Sequence, residues 1–244
     1  MRRFIFRVLT ERTLGIARLG VVGYEAALAL QNALVNARIA DQIGDTLLLL
    51  EHPHTFTLGR GADERFILPQ RPPDVPIHRV SRGGQVTYHG PGQLVGYPIL
   101  KLEGRDRDVG LYLRRLEEAI IRALDKFDIA ATRREKLTGV WAGSRKIASI
   151  GVGIRRWVTY HGLALNVNCE LDYFRAIVPC GIDGCEMTSI EALTGAKANI
   201  SEVYAALEQS SRDVFGYNEL KALDGAALWH LMDGAAHPLE PRSQ

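Results

Sequence analysis

The feature that most constrains this chain is a crowded run of glycines and prolines at residues 80–98. Five glycines and two prolines fall in this run, yet its flanks at 85–88 and 94–100 are rich in the Val, Thr, Tyr and Leu typical of strands. The pair Gly83-Gly84 allows positive φ or a close approach of backbone to a ligand. Arg82 and His89 bracket the pair with a fixed cation and a group that titrates near neutrality. A plain hairpin turn would explain a glycine pair alone, but the density of polar and aromatic side chains favours a ligand-binding loop between two strands.

Composition is that of a soluble globular protein. The 244 residues suit one large α/β domain or two small ones, and 46% hydrophobic with 24% charged residues is ordinary. A net charge of +2 does not favour a nucleic-acid partner. The three cysteines form no CxxC pair, which argues against a disulfide framework and for a reducing compartment. The apolar run at 47–50 is far too short to span a membrane. We therefore expect a cytoplasmic protein without a membrane or nucleic-acid partner, although a processed organellar matrix protein would look the same.

Hydrophobic periodicity predicts alternating helices and strands. Strands are expected at 4–9, 45–51, 140–142, 146–152 and 158–167, and helices at 24–39, 109–127 and 200–215. Asn199 or Ser201 is expected to cap the last of these helices, and the segment 188–191 to begin a short one. Four prolines predict a loop at 61–76, and from Tyr217 onward the pattern loosens into a tail that folds partly against the body.

Two histidines, His52 and His54, raise the question of a metal site. A His-x-His pair can place two imidazoles on one face of a strand. Pro53 between them, and the lack of nearby cysteines or clustered carboxylates, favour histidines that pack within a turn. We expect no metal here.

Cys180 is the candidate nucleophile, and Lys146 is a lysine in an otherwise apolar strand. Pro179 restrains the backbone before the cysteine, and Gly181 leaves space around the sulfur. A cysteine taken alone is more often a small buried hydrophobe than a nucleophile, a description that suits Cys169, whereas Cys185 is ambiguous. Lys146 could be a solvated edge residue, but its small apolar neighbours favour a partly buried position.

Three motifs together indicate a family. They are R-G-G…T-Y-H-G-P-G-Q at 82–93, R-K-I-A-S-I-G at 145–151, and P-C-G-I followed by T-S-I between 179 and 190. In content and order they resemble the signatures of the lipoyl(octanoyl) transferases, members of the biotin/lipoate protein ligase family. Weaker similarity spans about residues 5–215.

The resemblance implies a fold and a division of the chain. The fold is a single α/β (α+β) domain of the biotin/lipoate protein ligase type, with a mostly antiparallel mixed sheet flanked by helices. Residues 1–216 would form the octanoyltransferase catalytic domain, and residues 217–244 a C-terminal extension without a matching motif.

The resemblance also implies an activity, namely acyl transfer in the first step of protein lipoylation. An octanoyl group would pass from acyl carrier protein through a thioester on Cys180 to the target lysine of lipoyl domains of 2-oxoacid dehydrogenases and of the glycine cleavage H protein. Lys146 would stabilise the thiolate, since a nearby ammonium lowers a thiol pKa from about 8.5. No cofactor is implied. The substrate-binding residues would be Arg82, Gly83, Gly84, Gln85, Val86, Thr87, Tyr88, His89, Ser149, Ile150, Gly151, Gly162, Leu163 and Ala164.

Three other functions compete with this one. An ATP-dependent lipoate or biotin ligase would share the fold but would leave the Pro-Cys-Gly loop unexplained. A cysteine-dependent amidotransferase that moves octanoyl between lipoyl domains would use almost the same chemistry. An effector-binding regulator would need a basic helix-turn-helix segment, for which neither end of the catalytic region shows a pattern.

Overall fold

The computed structural model describes residues 12–181 and 184–234, and at Cys180 and residues 231–234 it describes the backbone alone. The strand predicted at 4–9 and the end of the tail, residues 235–244, lie outside this range. The described residues consist mainly of β-strands and of the helices that pack on them.

Eleven strands and five α-helices occur in the described part of the chain. The strands are β1 (Thr13–Val21), β2 (Thr46–Glu51), β3 (Thr55–Leu58), β4 (Ile77–Arg79), β5 (Val86–His89), β6 (Gln93–Ile99), β7 (Ala131–Arg134), β8 (Leu137–Ala142), β9 (Arg145–Arg155), β10 (Val158–Asn166) and β11 (Glu219–Ala222). The helices are α1 (Tyr24–Ile39), α2 (Val109–Asp125), α3 (Ile190–Thr194), α4 (Ile200–Phe215) and α5 (Gly225–Gly234). Short 3₁₀ turns punctuate the connections, among them Leu171–Ala176 and Pro179–Gly181.

The strands form two sheets. Eight of them make one sheet in the order β11-β1-β2-β6-β10-β9-β8-β7, in which β1 runs parallel to both of its neighbours and the remaining pairs are antiparallel. The prediction of a mostly antiparallel mixed sheet flanked by helices is confirmed. A separate three-stranded sheet, β4-β3-β5, includes β5 of the glycine-rich region, whereas β6 of that region belongs to the large sheet.

Helices cover both faces of the large sheet, and β2 shows why. Its side chains alternate between faces: Leu47 and Leu49 pack into a core with α2 and α4, whereas Leu48 and Leu50 pack into a second core with α1. All four are at most 2% exposed, which explains why this strand is a continuous run of leucines rather than an alternating pattern.

Local sequence signals locate most helix ends. Helices α1 and α4 have the predicted bounds, and Asn199 caps α4 because its Oδ1 accepts the Ser201 amide at 3.0 Å. Helix α2 ends at Asp125, two residues before the predicted end. Ser189 begins α3, its Oγ accepting the Ala192 amide at 3.1 Å.

The tail is more regular than its sequence indicates. It folds against the body as predicted, but into two defined elements: β11 pairs in parallel with β1, and α5 packs beside α1. The short strand Ala131–Arg134 was not predicted either. Both are edge strands with exposed polar side chains, so periodicity carries little signal for them. No helix in the described ranges has the length and apolar content needed to cross a membrane.

Candidate active site

A pocket lies between the glycine-rich loop, the adjoining stretches of β9 and β10, and the start of α1. It holds about 460 Å³ of empty space, part of it open to solvent. Its lining consists of Tyr24, Arg82, Gly84, Gln85, Val86, Thr87, His89, Tyr97, Ser149, Ile150, Gly151, His161, Gly162, Leu163 and Ala164. The motifs at 82–93 and 145–151 therefore line one cavity together with residues 161–164 of β10.

All but two of the residues predicted to bind substrate line this pocket. Gly83 is not among them, but its amide donates to the Val152 carbonyl at 2.9 Å and so ties the loop to β9. Tyr88 faces the opposite side of β5, where its ring stacks on Tyr173 with centroids 4.8 Å apart and its hydroxyl lies 2.7 Å from Nδ1 of His54. Strand alternation accounts for this, because Thr87 and His89 on either side of Tyr88 face the pocket.

The Arg82 side chain holds the glycine-rich loop in place through hydrogen bonds to its carbonyls. Its side chain donates to the carbonyls of Gly83 (3.0 Å) and Gln85 (2.9 Å), and to both the carbonyl and the hydroxyl of Thr57 (2.7 Å each). The planar guanidinium thus satisfies several buried acceptors at once. The close packing also explains Gly151, where an added Cβ would lie 2.9 Å from the Gly83 oxygen and 3.0 Å from Cδ of Arg82.

A chain of buried hydrogen bonds leads from the pocket into the core. The hydroxyl oxygen of Thr57 lies 3.4 Å from Nε2 of His89, and Nδ1 of His89 donates to Oε1 of Gln93 at 2.8 Å. Gln93 donates to Oδ1 of Asn166 at 2.9 Å, and Asn166 donates to the Thr188 carbonyl, also at 2.9 Å. Burial holds the pKa of His89 well below its ordinary value, so the ring stays neutral within this chain.

Lys146 is a fully buried residue on β9. Its amide donates to the Glu186 carbonyl at 2.8 Å, and its carbonyl accepts the Thr188 amide at 2.9 Å. Its Nζ donates to the Thr138 carbonyl at 3.1 Å and lies 4.9 Å from the centre of the Trp141 ring. Gly139 makes room for the side chain: its φ is +138°, and an added Cβ would lie 2.6 Å from Cε of Lys146.

The loop that carries Cys180 lies against the glycine-rich region. Cys180 belongs to the 3₁₀ turn Pro179–Gly181, in which the Gly181 amide donates to the Val178 carbonyl at 3.0 Å. An added Cβ on Gly181 would lie 2.9 Å from the Phe66 ring and 3.1 Å from Cγ of Gln85, a pocket residue. The turn therefore lies beside the pocket through packing against Gln85, and the residues after it form main-chain hydrogen bonds with Lys146.

The other two cysteines occupy different surroundings. Cys169 is buried, and its burial raises the pKa of the thiol to about 12, which suits a structural residue. Cys185 is half-buried in a surface groove of about 1450 Å³ that it shares with Pro179 and Arg145.

Tyr24, Tyr97 and His161 line the pocket although sequence reasoning did not select them. Tyr24 begins a helix and the other two lie on strands, so their convergence depends on a tertiary arrangement that no local pattern encodes. Tyr97 donates through its hydroxyl to Nε2 of His52 at 2.8 Å, and Nδ1 of His52 donates to the Val22 carbonyl at 2.6 Å.

His52 and His54 therefore have separate partners. Burial lowers the pKa of His52 to about 4, so that ring is neutral near pH 7. No group of three metal-binding side chains comes together within 12–181 and 184–234.

Comparison with known proteins identifies the family. The sequence profile of the lipoyl protein ligase A/B catalytic domain matches residues 23–212, which contain the pocket and both candidate catalytic residues. The chain belongs to this family. Among its relatives, the octanoyltransferase of Geobacter metallireducens is 48% identical over 77% of this chain and 87% of its own length. The octanoyltransferase of Caldicellulosiruptor bescii is 46% identical over 90% of this chain and 98% of its own.

Solved structures of lipoyl ligase family members share the fold. The putative lipoate protein ligase Ta0514 of T. acidophilum superimposes with a TM-score of 0.67 at 18% identity, covering 92% of this chain and 95% of its own. Lipoate-protein ligase A bound with ATP gives 0.65 at 16% identity over the same shares of the two chains. At these identities the likeness concerns the fold alone.

Proposed function

We propose that this protein is an octanoyltransferase of protein lipoylation that works through a thioester on Cys180. The observation that carries the proposal is that two of the three motifs line one pocket and the third lies against it at Gly181, in a chain 46–48% identical to octanoyltransferases over most of its length. The Lys146 strand itself supplies the pocket residues Ser149, Ile150 and Gly151, and Gly181 of the Cys180 turn packs against the pocket residue Gln85.

In the first half-reaction, the Cys180 thiolate attacks the carbonyl carbon of an octanoyl thioester on acyl carrier protein. The carbon–sulfur bond to the carrier breaks, and the leaving thiolate takes a proton from the Lys146 ammonium. One thioester replaces another, so the step is nearly isoenergetic and requires no ATP. The apolar and glycine-lined part of the pocket, which includes Ile150 and Leu163, takes the hydrocarbon chain.

In the second half-reaction, the neutral ε-amine of a lysine on a lipoyl domain attacks the acyl-enzyme. A carbon–nitrogen bond forms, the bond to sulfur of Cys180 breaks, and the proton lost by the amine goes to Lys146. The ion pair of thiolate and ammonium is thereby restored. Formation of an amide from a thioester is strongly downhill and drives the cycle forward.

Both partners in this scheme are proteins. The surface groove next to the Cys180 turn leaves an approach open on the side where Arg145 and Arg175 lie. Acyl carrier protein is acidic, so basic side chains around such an entrance favour its docking. Arg60, Arg155 and Arg156 are also exposed, and Arg155 donates to Oδ1 of Asn36 at 2.6 Å.

The experiment compares three donors with one purified lipoyl domain as acceptor, followed by intact-mass measurement of the acceptor. Octanoyl carrier protein without ATP is expected to octanoylate the domain. Transfer only from free octanoate with ATP would instead identify a ligase. Transfer only from an octanoylated lipoyl domain would identify an amidotransferase, and either result would overturn the proposal.

A further inference from the structure

His161 presents two buried polar atoms without a hydrogen-bond partner. The side chain is 1% exposed, it lines the pocket, and neither Nδ1 nor Nε2 has a partner among the described residues. Burial, with the charge of Arg82 as a smaller cause, lowers the pKa of His161 to about 3. The ring is therefore neutral near pH 7 and offers one N–H donor and one acceptor nitrogen.

The backbone of His161 is also unusual. Its φ is +54°, a left-handed value for a non-glycine residue in the middle of a strand. Such strain persists only where the surrounding structure enforces it, and it is concentrated at ligand-binding positions. Here it turns an imidazole toward the cavity.

Gln31 of α1 adds a third unsatisfied atom next to His161, just behind the pocket lining. Its Oε1 accepts the His161 amide at 2.7 Å, while its Nε2 has no partner among the described residues. The side chain is 1% exposed. Buried polar groups without partners carry a free-energy penalty, and a buried water that makes two to four hydrogen bonds is the usual means of removing it.

The position of His161 along the pocket is given by strand register. Ala164 and Gly162 of β10 lie opposite Ser149 and Gly151 of β9, and His161 lies opposite Val152. On β9 the pocket lining begins at Ser149, and Val152 is three positions further from Lys146, which corresponds to about 10 Å of strand and to about the extended length of an eight-carbon chain. The reacting carbonyl belongs at the Lys146 end, so His161 lies at the end that the methyl terminus of the chain would reach.

We propose that His161 and Gln31 set the length of acyl chain that the pocket accepts, because together they hold an ordered water at the far end of the pocket. These two side chains are called the polar floor below. This inference rests on the proposed function for the orientation of the chain. An eight-carbon chain leaves the water in place. A longer chain has to displace it with methylene groups, which cannot hydrogen-bond to the imidazole or the amide.

If the polar floor is present, the affinity for fatty acids should not rise steadily with chain length. Free fatty acids of six to fourteen carbons are titrated calorimetrically into the wild-type protein, without any transfer partner. Affinity is expected to rise with each pair of methylenes up to about eight carbons and then to fall by about tenfold or more, which corresponds to about 1.4 kcal/mol. A steady rise through twelve carbons would overturn the proposal. Because no transfer is involved, this result stands apart from the test of the proposed function.

Variants separate the polarity of the floor from its bulk. His161→Leu and Gln31→Met keep apolar bulk but remove the hydrogen-bonding groups, so the ratio of dodecanoyl to octanoyl acyl-enzyme formation is expected to rise about tenfold in each. His161→Asn is the matched control, because asparagine tolerates positive φ and retains a donor and an acceptor; its ratio should stay near that of the wild type. A ratio taken within one variant cancels any loss of folded protein. Leu and Met variants that acylate with octanoyl and keep the wild-type ratio would contradict a polar floor.

Discussion

Lys146 and Thr188 are joined main chain to main chain. The Thr188 amide donates to the Lys146 carbonyl at 2.9 Å, and two residues earlier the Glu186 carbonyl accepts the Lys146 amide at 2.8 Å. The segment after the Cys180 turn therefore adds to β9 as a one-residue parallel bridge. This attachment gives the turn a fixed point beside the lysine that does not depend on the side chain of either residue.

Asn166 supports that attachment, and we predict that Asn166→Ala slows acyl-enzyme formation. The change leaves the Thr188 carbonyl without its side-chain donor and removes one of the two acceptors of Nε2 of Gln93, which keeps the Tyr88 carbonyl at 3.2 Å. Loss of these buried bonds should cost about 1–3 kcal/mol in the free energy of unfolding. The measurement pairs urea unfolding with the rate of acylation followed by intact mass.

Asn168→Ala is the control for this change. Its side chain also makes two hydrogen bonds, to the amide and the carbonyl of Ala198, but away from the Lys146 strand. We expect a loss of stability without a change in the acylation rate of the folded protein. Equal slowing in both variants would show that Asn166 acts through stability alone.

The glycine at position 151 is predicted to be required for the shape of the pocket. In Gly151→Ala the new Cβ would stand 2.9 Å from the Gly83 oxygen and 3.0 Å from Cδ of Arg82, so the glycine loop must shift. Octanoate affinity, measured calorimetrically, should fall at least tenfold. Gly44→Ala is the control, since an added Cβ there meets nothing within 4 Å, and it should bind as the wild type does.

Lys146→Met is predicted to move the pH dependence of acylation upward. A buried ammonium beside a thiol stabilises the thiolate, so its removal raises the thiol pKa and leaves less nucleophile at pH 7. The rate of acyl-enzyme formation should fall by 10²-fold or more at pH 7 and recover in part at pH 9. A uniform loss across this range would mean that Lys146 does not act on the thiol.

Stability is predicted to decline in mild acid because of the buried neutral histidines. The pKa is lowered to about 4 for His52 and to about 3 for His161, against about 6.5 in the unfolded chain. Between pH 6.5 and 4 the unfolded state binds more protons than the folded state, so the free energy of unfolding falls as pH falls. Each such histidine contributes roughly 1.4 kcal/mol per pH unit over this window.

The measurement is urea unfolding at intervals from pH 7 to pH 4. In His52→Gln the free energy of unfolding should depend less steeply on pH than in the wild type, and the difference should equal the contribution of one histidine. A slope identical to that of the wild type would assign the acid sensitivity to other groups.

Much of the fold was predictable from sequence because the signals are local. The helices Tyr24–Ile39 and Ile200–Phe215 follow from apolar spacing, and the cap at Asn199 follows from its short polar side chain. The strand Glu219–Ala222 was missed because its pairing with the start of β1 spans most of the chain and its side chains are mostly exposed. Contacts of that sequence separation leave no periodic trace.

For the candidate site, too, the residues with a local sequence signal could be predicted and those placed by tertiary packing could not. Glycine-rich and strand motifs located most of the pocket lining because each motif is contiguous. Tyr24, Tyr97 and His161 were not found, since they reach the pocket only through the packing of α1 and the register of β10 against its neighbours. The placement of Tyr88 away from the pocket likewise depends on which face of β5 meets the large sheet.

The most direct test of the account is the intact mass of the protein after it is mixed with octanoyl carrier protein, for the wild type and for Cys180→Ser and Cys180→Ala. Cys185→Ala serves as the control for the second thiol near the loop. We expect an octanoyl adduct on the wild type and on Cys185→Ala, labile to hydroxylamine as a thioester is, and no such adduct on Cys180→Ser or Cys180→Ala. Octanoylation of Cys180→Ala at the wild-type rate would contradict it.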